Sequence, residues 1–77
     1  MDKIKETELR QELQELETKM QAAQAAMSEL KQKIKECDPE DEVKAFDLGL
    51  AEFNLFNYMD MLDEDIKELR CQLETEN

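Results

Sequence analysis

The chain has no histidine and no tryptophan, and its 77 residues include one glycine, one proline, two cysteines, three phenylalanines and one tyrosine. Without histidine it lacks the side chain most often used as general base and metal ligand. One glycine cannot build a phosphate-cradling loop, and no serine or cysteine sits in a nucleophile elbow. Cys37 and Cys71 stand alone, too few and too far apart for a zinc site. The expectation is therefore a non-enzymatic protein with no cofactor and no metal. The acids Asp60, Asp63, Glu64 and Asp65 crowd one short stretch, but acid–base chemistry needs a cleft that a rod does not offer. They read as a solvated acidic face.

Long hydrophobic runs are missing too. Nothing approaches the length that crosses a bilayer, and Met1-Asp2-Lys3-Ile4-Lys5 has no apolar core for a signal peptide. A soluble, cytoplasmic protein with free thiols is expected. Bases are scarce: 10 Lys and Arg face 21 Asp and Glu, for a net charge of −11. Residues 38–77 carry only Lys44, Lys67 and Arg70 as bases, so nearly all the excess negative charge lies there. Such a half repels phosphate backbones and anionic lipid surfaces, which excludes nucleic acid and membrane as expected partners. A more basic protein is the natural complement.

What is present is a seam. Leu9, Leu13, Leu16, Met20, Ala23, Met27, Leu30, Ile34 and Cys37 follow one another in steps of four and three without a slip. Apolar residues recurring every 3.5 positions drift slowly around a helix, so two such helices wrap to keep their seams together. Apolar and charged residues each make up 40 % of the chain, and with this period the composition reads as coiled coil. The seam needs a second helix, from the same chain or another.

Asp38-Pro39-Glu40-Asp41-Glu42 is the one break. Asp38 as cap and Pro39 at the first helical position suit a new helix, with Glu40, Asp41 and Glu42 in its first turn. The chain thus divides into a first heptad helix over 1–37, a break and helix start over 38–42, and a second helix over 43–77. Gly49 inside the second helix reads as a kink, a close contact or a tolerated glycine.

The second helix is apolar beyond the needs of one seam. Thirteen of the twenty residues from Val43 to Leu62 are apolar, and they include every aromatic. Leu48, Ala51, Leu55, Tyr58 and Leu62 keep the register of the first helix across the break, and Phe46, Leu50 and Phe53 form a second stripe beside them. Leu55, Met59, Leu62, Ile66, Leu69 and Leu73 then close the chain, after a register shift near Leu62. Cys71, between Leu69 and Leu73, should point outward. The expected fold is all-α, a coiled coil of two long helices interrupted at Asp38-Pro39. A parallel dimer is slightly favoured by the kept register; an antiparallel hairpin or a four-helix bundle is the alternative.

Two sets of residues carry the functional reading. The helix-pairing seam is Leu9, Leu13, Leu16, Met20, Met27, Leu30, Ile34, Leu62, Ile66, Leu69 and Leu73. The partner-docking candidates are Phe46, Phe53, Leu55, Phe56, Asn57 and Tyr58, since aromatics give large contact area at low entropy cost and an amide can fix register. Taken alone, the same aromatics read first as core filling around the break.

The passage Phe53-Asn54-Leu55-Phe56-Asn57-Tyr58 resembles one in the acidic coiled-coil subunits of the ciliary outer dynein arm docking complex. There a helix ends in a short break, and an acidic stretch and a Phe-x-Leu-Phe-Asn-Tyr-like phrase lead into a Glu-, Ile- and Leu-rich coil. Ile34-Lys35-Glu36, Asp38 to Val43, Phe46, Ile66 and Leu69 follow that order, and the resemblance spans roughly residues 33–75. Met59-Asp60-Met61-Leu62-Asp63 departs from it, as does an Asp-Pro break where a glycine turn is usual, and family members run to several hundred residues. The resemblance implies a rod-like cytoskeletal subunit that pairs with a homologous coil and docks dynein arms on axonemal microtubules. Read from the residues alone, the alternative is a self-contained helical oligomerisation or adaptor module that recruits a soluble partner.

Overall fold

The computed structural model describes residues 2–75. Two α-helices of equal length, α1 (Lys3–Glu36) and α2 (Glu42–Thr75), account for nearly all of it. A 34-residue helix is about 51 Å long at 1.5 Å per residue. The molecule measures 59 × 14 × 13 Å, so the two helices lie side by side rather than end to end. The chain turns back at the break and forms an antiparallel coiled-coil hairpin.

Each boundary has a local cause. Asp2 caps α1, its carboxylate accepting a hydrogen bond from the Ile4 amide at 3.1 Å. The helix ends with Lys33 and Lys35 in its last turn, where the helix dipole favours cations, and the approaching Pro39 disfavours helical geometry at Asp38. Asp38 and Pro39 do not open α2 as cap and first residue. They form a turn instead: the Asp41 amide donates to the Asp38 carbonyl at 3.0 Å, and the Asp38 carboxylate accepts from the Glu40 amide at 3.0 Å. Proline suits the second position of such a turn. The cap falls to Asp41, whose carboxylate accepts from the Lys44 amide at 3.0 Å, and of the three acids only Glu42 lies in the first turn.

Glu17 of α1 meets Arg70 of α2 at 3.2 Å, which shows which turns of the hairpin lie side by side. Consistently, Leu9, Glu12 and Leu16 line a shallow groove with Asp65, Glu68, Leu69 and Gln72. One turn further, Glu17, Met20, Gln21 and Gln24 line another with Asp63, Ile66 and Arg70. The core runs from the middle of the rod toward the termini, where Ala23, Leu62, Ile66, Leu69 and Leu73 are buried. Leu62, 2 % exposed, is its most enclosed side chain.

Of the arrangements open to the sequence, this single chain takes the hairpin. The register kept across the break favoured a chain running forward, but the phase has no mechanical continuity there, because the turn at 38–41 reverses the rod. Gly49 lies mid-helix with a negative φ, and a Cβ built on it would meet nothing within 4 Å, so no close backbone contact requires it.

Candidate functional site

In α1 the inward face is the heptad itself. Leu9, Leu13, Leu16, Met20, Met27, Leu30 and Ile34 are half-buried against α2, Ala23 is buried, and Cys37 is half-buried at the tip. In α2 the inward positions are Leu48, Glu52, Leu55, Met59, Leu62, Ile66, Leu69 and Leu73, again in steps of four and three. No register shift occurs near Leu62. Ala51 and Tyr58, expected on this seam, are exposed. The buried run Leu62–Leu73 sets the phase of α2, and one helical turn after another carries that phase back to Glu52 and Leu48. Cys71 is exposed and Cys37 and Cys71 are both free thiols.

The docking candidates therefore separate. Leu55 belongs to the inner seam and is half-buried. Phe46, Phe53, Phe56, Asn57 and Tyr58 are exposed. At about 100° per residue, Val43, Phe46, Leu50, Phe53, Asn57 and Met61 all fall within about 40° of the direction opposite Leu48. The second stripe thus lies not beside the seam but diametrically across the helix from it. Phe56 flanks this outer stripe on one side and Tyr58 on the other. Because its apolar residues occupy two opposite faces, α2 is much less amphipathic than α1.

From Val43 to Asn57 the outer positions step by three and four, the pattern of a second helix-pairing seam. Phe46 is 70 % exposed, and Phe53 and Phe56 are each 62 % exposed. At about 150–250 Å² of surface per aromatic side chain, these three alone leave on the order of 400 Å² of apolar surface in water. Val43, Leu50 and Met61 extend it. Typical soluble monomers reach about 300–600 Å² in their largest apolar patch, and such patches are often functional.

Val43 and Met61 as members of the outer face, and Glu52 as a member of the inner seam, were not singled out by the sequence reading, which had Leu50 in the second stripe with Phe46 and Phe53. Counting back from Leu73 in steps of four and three, with one charged position tolerated, identifies Glu52 and by opposition the outer stripe.

Charge is distributed with the same asymmetry. Glu42 and Asp47 border the start of the outer stripe on opposite flanks, Asp60, Glu64 and Asp65 follow its end, and between Asp47 and Asp60 its flanks are uncharged. Lys67 pairs with Asp63 at 3.0 Å within α2. That hydrogen bond and the attraction of Asp63, with smaller contributions from Asp60 and Glu64, raise the Lys67 ammonium above its ordinary pKa. Among the described residues no group of three or more His, Cys, Asp or Glu is placed to hold a metal, and no helix is long and apolar enough to cross a membrane. Comparison of the chain with protein-family models, curated proteins and solved structures finds no match in any of the three.

Proposed function

We propose that this chain is a non-catalytic assembly element, a helical hairpin that joins other protein through the outer face of α2. The observation that carries the reading is the pair of heptad seams back to back on one helix. The inner seam closes the hairpin on itself, and the outer one, with Phe46 and Phe53 in solvent, is left to a further helix. A hairpin that satisfies its own first seam favours the self-contained adaptor or oligomerisation module over a fragment of a continuous rod.

The test is to change Phe46 and Phe53 together to Ser and follow the native protein by size fractionation. Circular dichroism should report an intact hairpin, while the protein moves from the size of its assembly to that of the free chain. If the variant fractionates with the assembly as the unchanged chain does, the outer face is not the point of attachment.

A more specific reading rests on the resemblance around Phe53–Tyr58, which would make the assembly cytoskeletal, in the ciliary axoneme, and its cargo the dynein arm. Its support is that four of the phrase's side chains, Phe53, Phe56, Asn57 and Tyr58, are exposed. Imaging of the tagged protein settles it: axonemal signal that fades with the Phe46 and Phe53 changes is expected, and a diffuse signal in ciliated cells rejects it.

A further inference from the structure

The assembly reading leaves the occupant of the outer face open, and the charges beside that face narrow it. From residue 42 to 65 the only base is Lys44, which falls one turn before Leu48 at the edge of the inner seam, away from the stripe. The charges at its two ends, Glu42 and Asp47 before and Asp60, Glu64 and Asp65 after, are all acidic. Among the described residues the ion pairs join Arg10 to Glu6, Lys67 to Asp63 and Arg70 to Glu17, and none involves one of these acids.

A second copy is a poor occupant. Outer stripe laid on outer stripe brings acids against acids in either direction, and like charges across a helix pair are destabilising. The other helix of a second copy offers no apolar complement, since Ile4 is the one large apolar side chain exposed on α1 among the described residues. What fits is apolar in the middle and cationic at both ends.

Resting on the assembly reading, we infer that Val43–Asn57 of α2 takes one helix of a different protein, apolar at heptad spacing and carrying Lys or Arg at both ends of that apolar run. The stripe spans about 21 Å at 1.5 Å per residue, roughly four turns of partner helix. Asn57 interrupts the apolar stripe with an amide one turn before Met61, which helps set the partner's register. Cationic ends also steer the encounter, so association slows as salt rises.

The experiment uses the full chain and two synthetic helical peptides of equal length. Both carry Leu and Ile on one seam; one has Lys bordering the two ends of that seam and the other Glu. Fluorescence anisotropy should show the Lys-bordered peptide binding at least tenfold tighter than the Glu-bordered one. Its affinity should fall at least tenfold on the Phe46→Ser, Phe53→Ser variant and decline steadily with salt. If that variant loses its helical circular dichroism, Phe46→Ser alone makes the same comparison. Equal binding of the two peptides overturns the inference, as does unchanged binding of the Lys peptide to the variant, which would be attraction to bulk charge. A micromolar dimer in sedimentation that the variant abolishes would seat a second copy on the stripe, ending this inference while the assembly reading survives. A monomer that binds neither peptide ends both.

Discussion

Replacing Leu62 and Phe53 by alanine, one at a time, separates the two seams of α2 by stability. Leu62 is 2 % exposed at the start of the buried run, whereas Phe53 is 62 % exposed on the opposite face. Leu-to-Ala changes at enclosed sites cost about 2–5 kcal/mol, the lower end where neighbours can close in. A two-helix rod only 13–14 Å across has room to close in, so a loss of about 2–3 kcal/mol is expected at Leu62. Folded chains hold about 0.05–0.15 kcal/mol per residue, which puts the whole hairpin at roughly 4–11 kcal/mol and makes that loss a large share. Phe53→Ala removes little burial and gains helix propensity, so its effect should stay within about 0.5 kcal/mol and tend to stabilise.

Urea titration followed by circular dichroism at several protein concentrations is the assay. For a chain this small the slope is about 1 kcal/mol per M, so Leu62→Ala should lower the midpoint by roughly 2–3 M and Phe53→Ala should barely move it. Equal losses at the two positions would refute the assignment of inner and outer faces. A loss at Phe53 that grows with protein concentration would instead reveal self-association through the outer face.

Glu52→Leu should stabilise the hairpin by about 1 kcal/mol, because it returns an apolar side chain to a half-buried seam position; a lower thermal midpoint would contradict the heptad drawn through residue 52. Asp41→Ala should cost about 1 kcal/mol by removing the α2 cap, against a smaller loss for Asp38→Ala, and the same urea titration ranks them. The Lys67 pKa is raised in the fold, so whatever stability its pairing with Asp63 adds is present in full below the unfolded lysine pKa. It is lost only as pH climbs through the higher folded value. The Lys67 side-chain resonance should titrate above that of a lysine model peptide, and a midpoint at or below the peptide's would remove the ion pair.

The first helix was legible almost to the residue because every seam position from Leu9 to Cys37 is apolar or small, and Asp2 has the chemistry of a cap. The second was legible as a helix but not in its facing. Glu52 interrupts the inner heptad with a charge, while Ala51 and Tyr58 offer an apolar path that also steps by three and four. The choice between those paths is made by Leu62, Ile66, Leu69 and Leu73 packing on α1, a tertiary fact that local pattern does not contain. The direction of the chain was hidden in the same way: a phase kept across five residues describes a straight rod and a reversal equally well. The cap was misplaced by three residues because an Asp-Pro pair opens a turn as readily as a helix, and the second aspartate, Asp41, competes for the same role.

The two ends of the rod differ in a way that bears on how binding would be felt. All the buried side chains of α2 lie between Leu62 and Leu73, while Leu48, Glu52, Leu55 and Met59 toward the tip are only half-buried. Opening free energy follows buried apolar contact, so the tip half of the hairpin should unfold locally at lower cost than the half near the termini. Hydrogen exchange is expected to run slowest through 62–73 and the α1 turns that face it over 9–24, and faster through 43–55 and 27–36. A helix seated on the outer stripe would hold α2 over 43–57, so exchange there should slow while 66–73 stays as it was. Uniform protection along both helices of the free chain would mean that the inner seam holds the tip as firmly as the base. In that case the outer stripe would have no loose segment left for a partner to order.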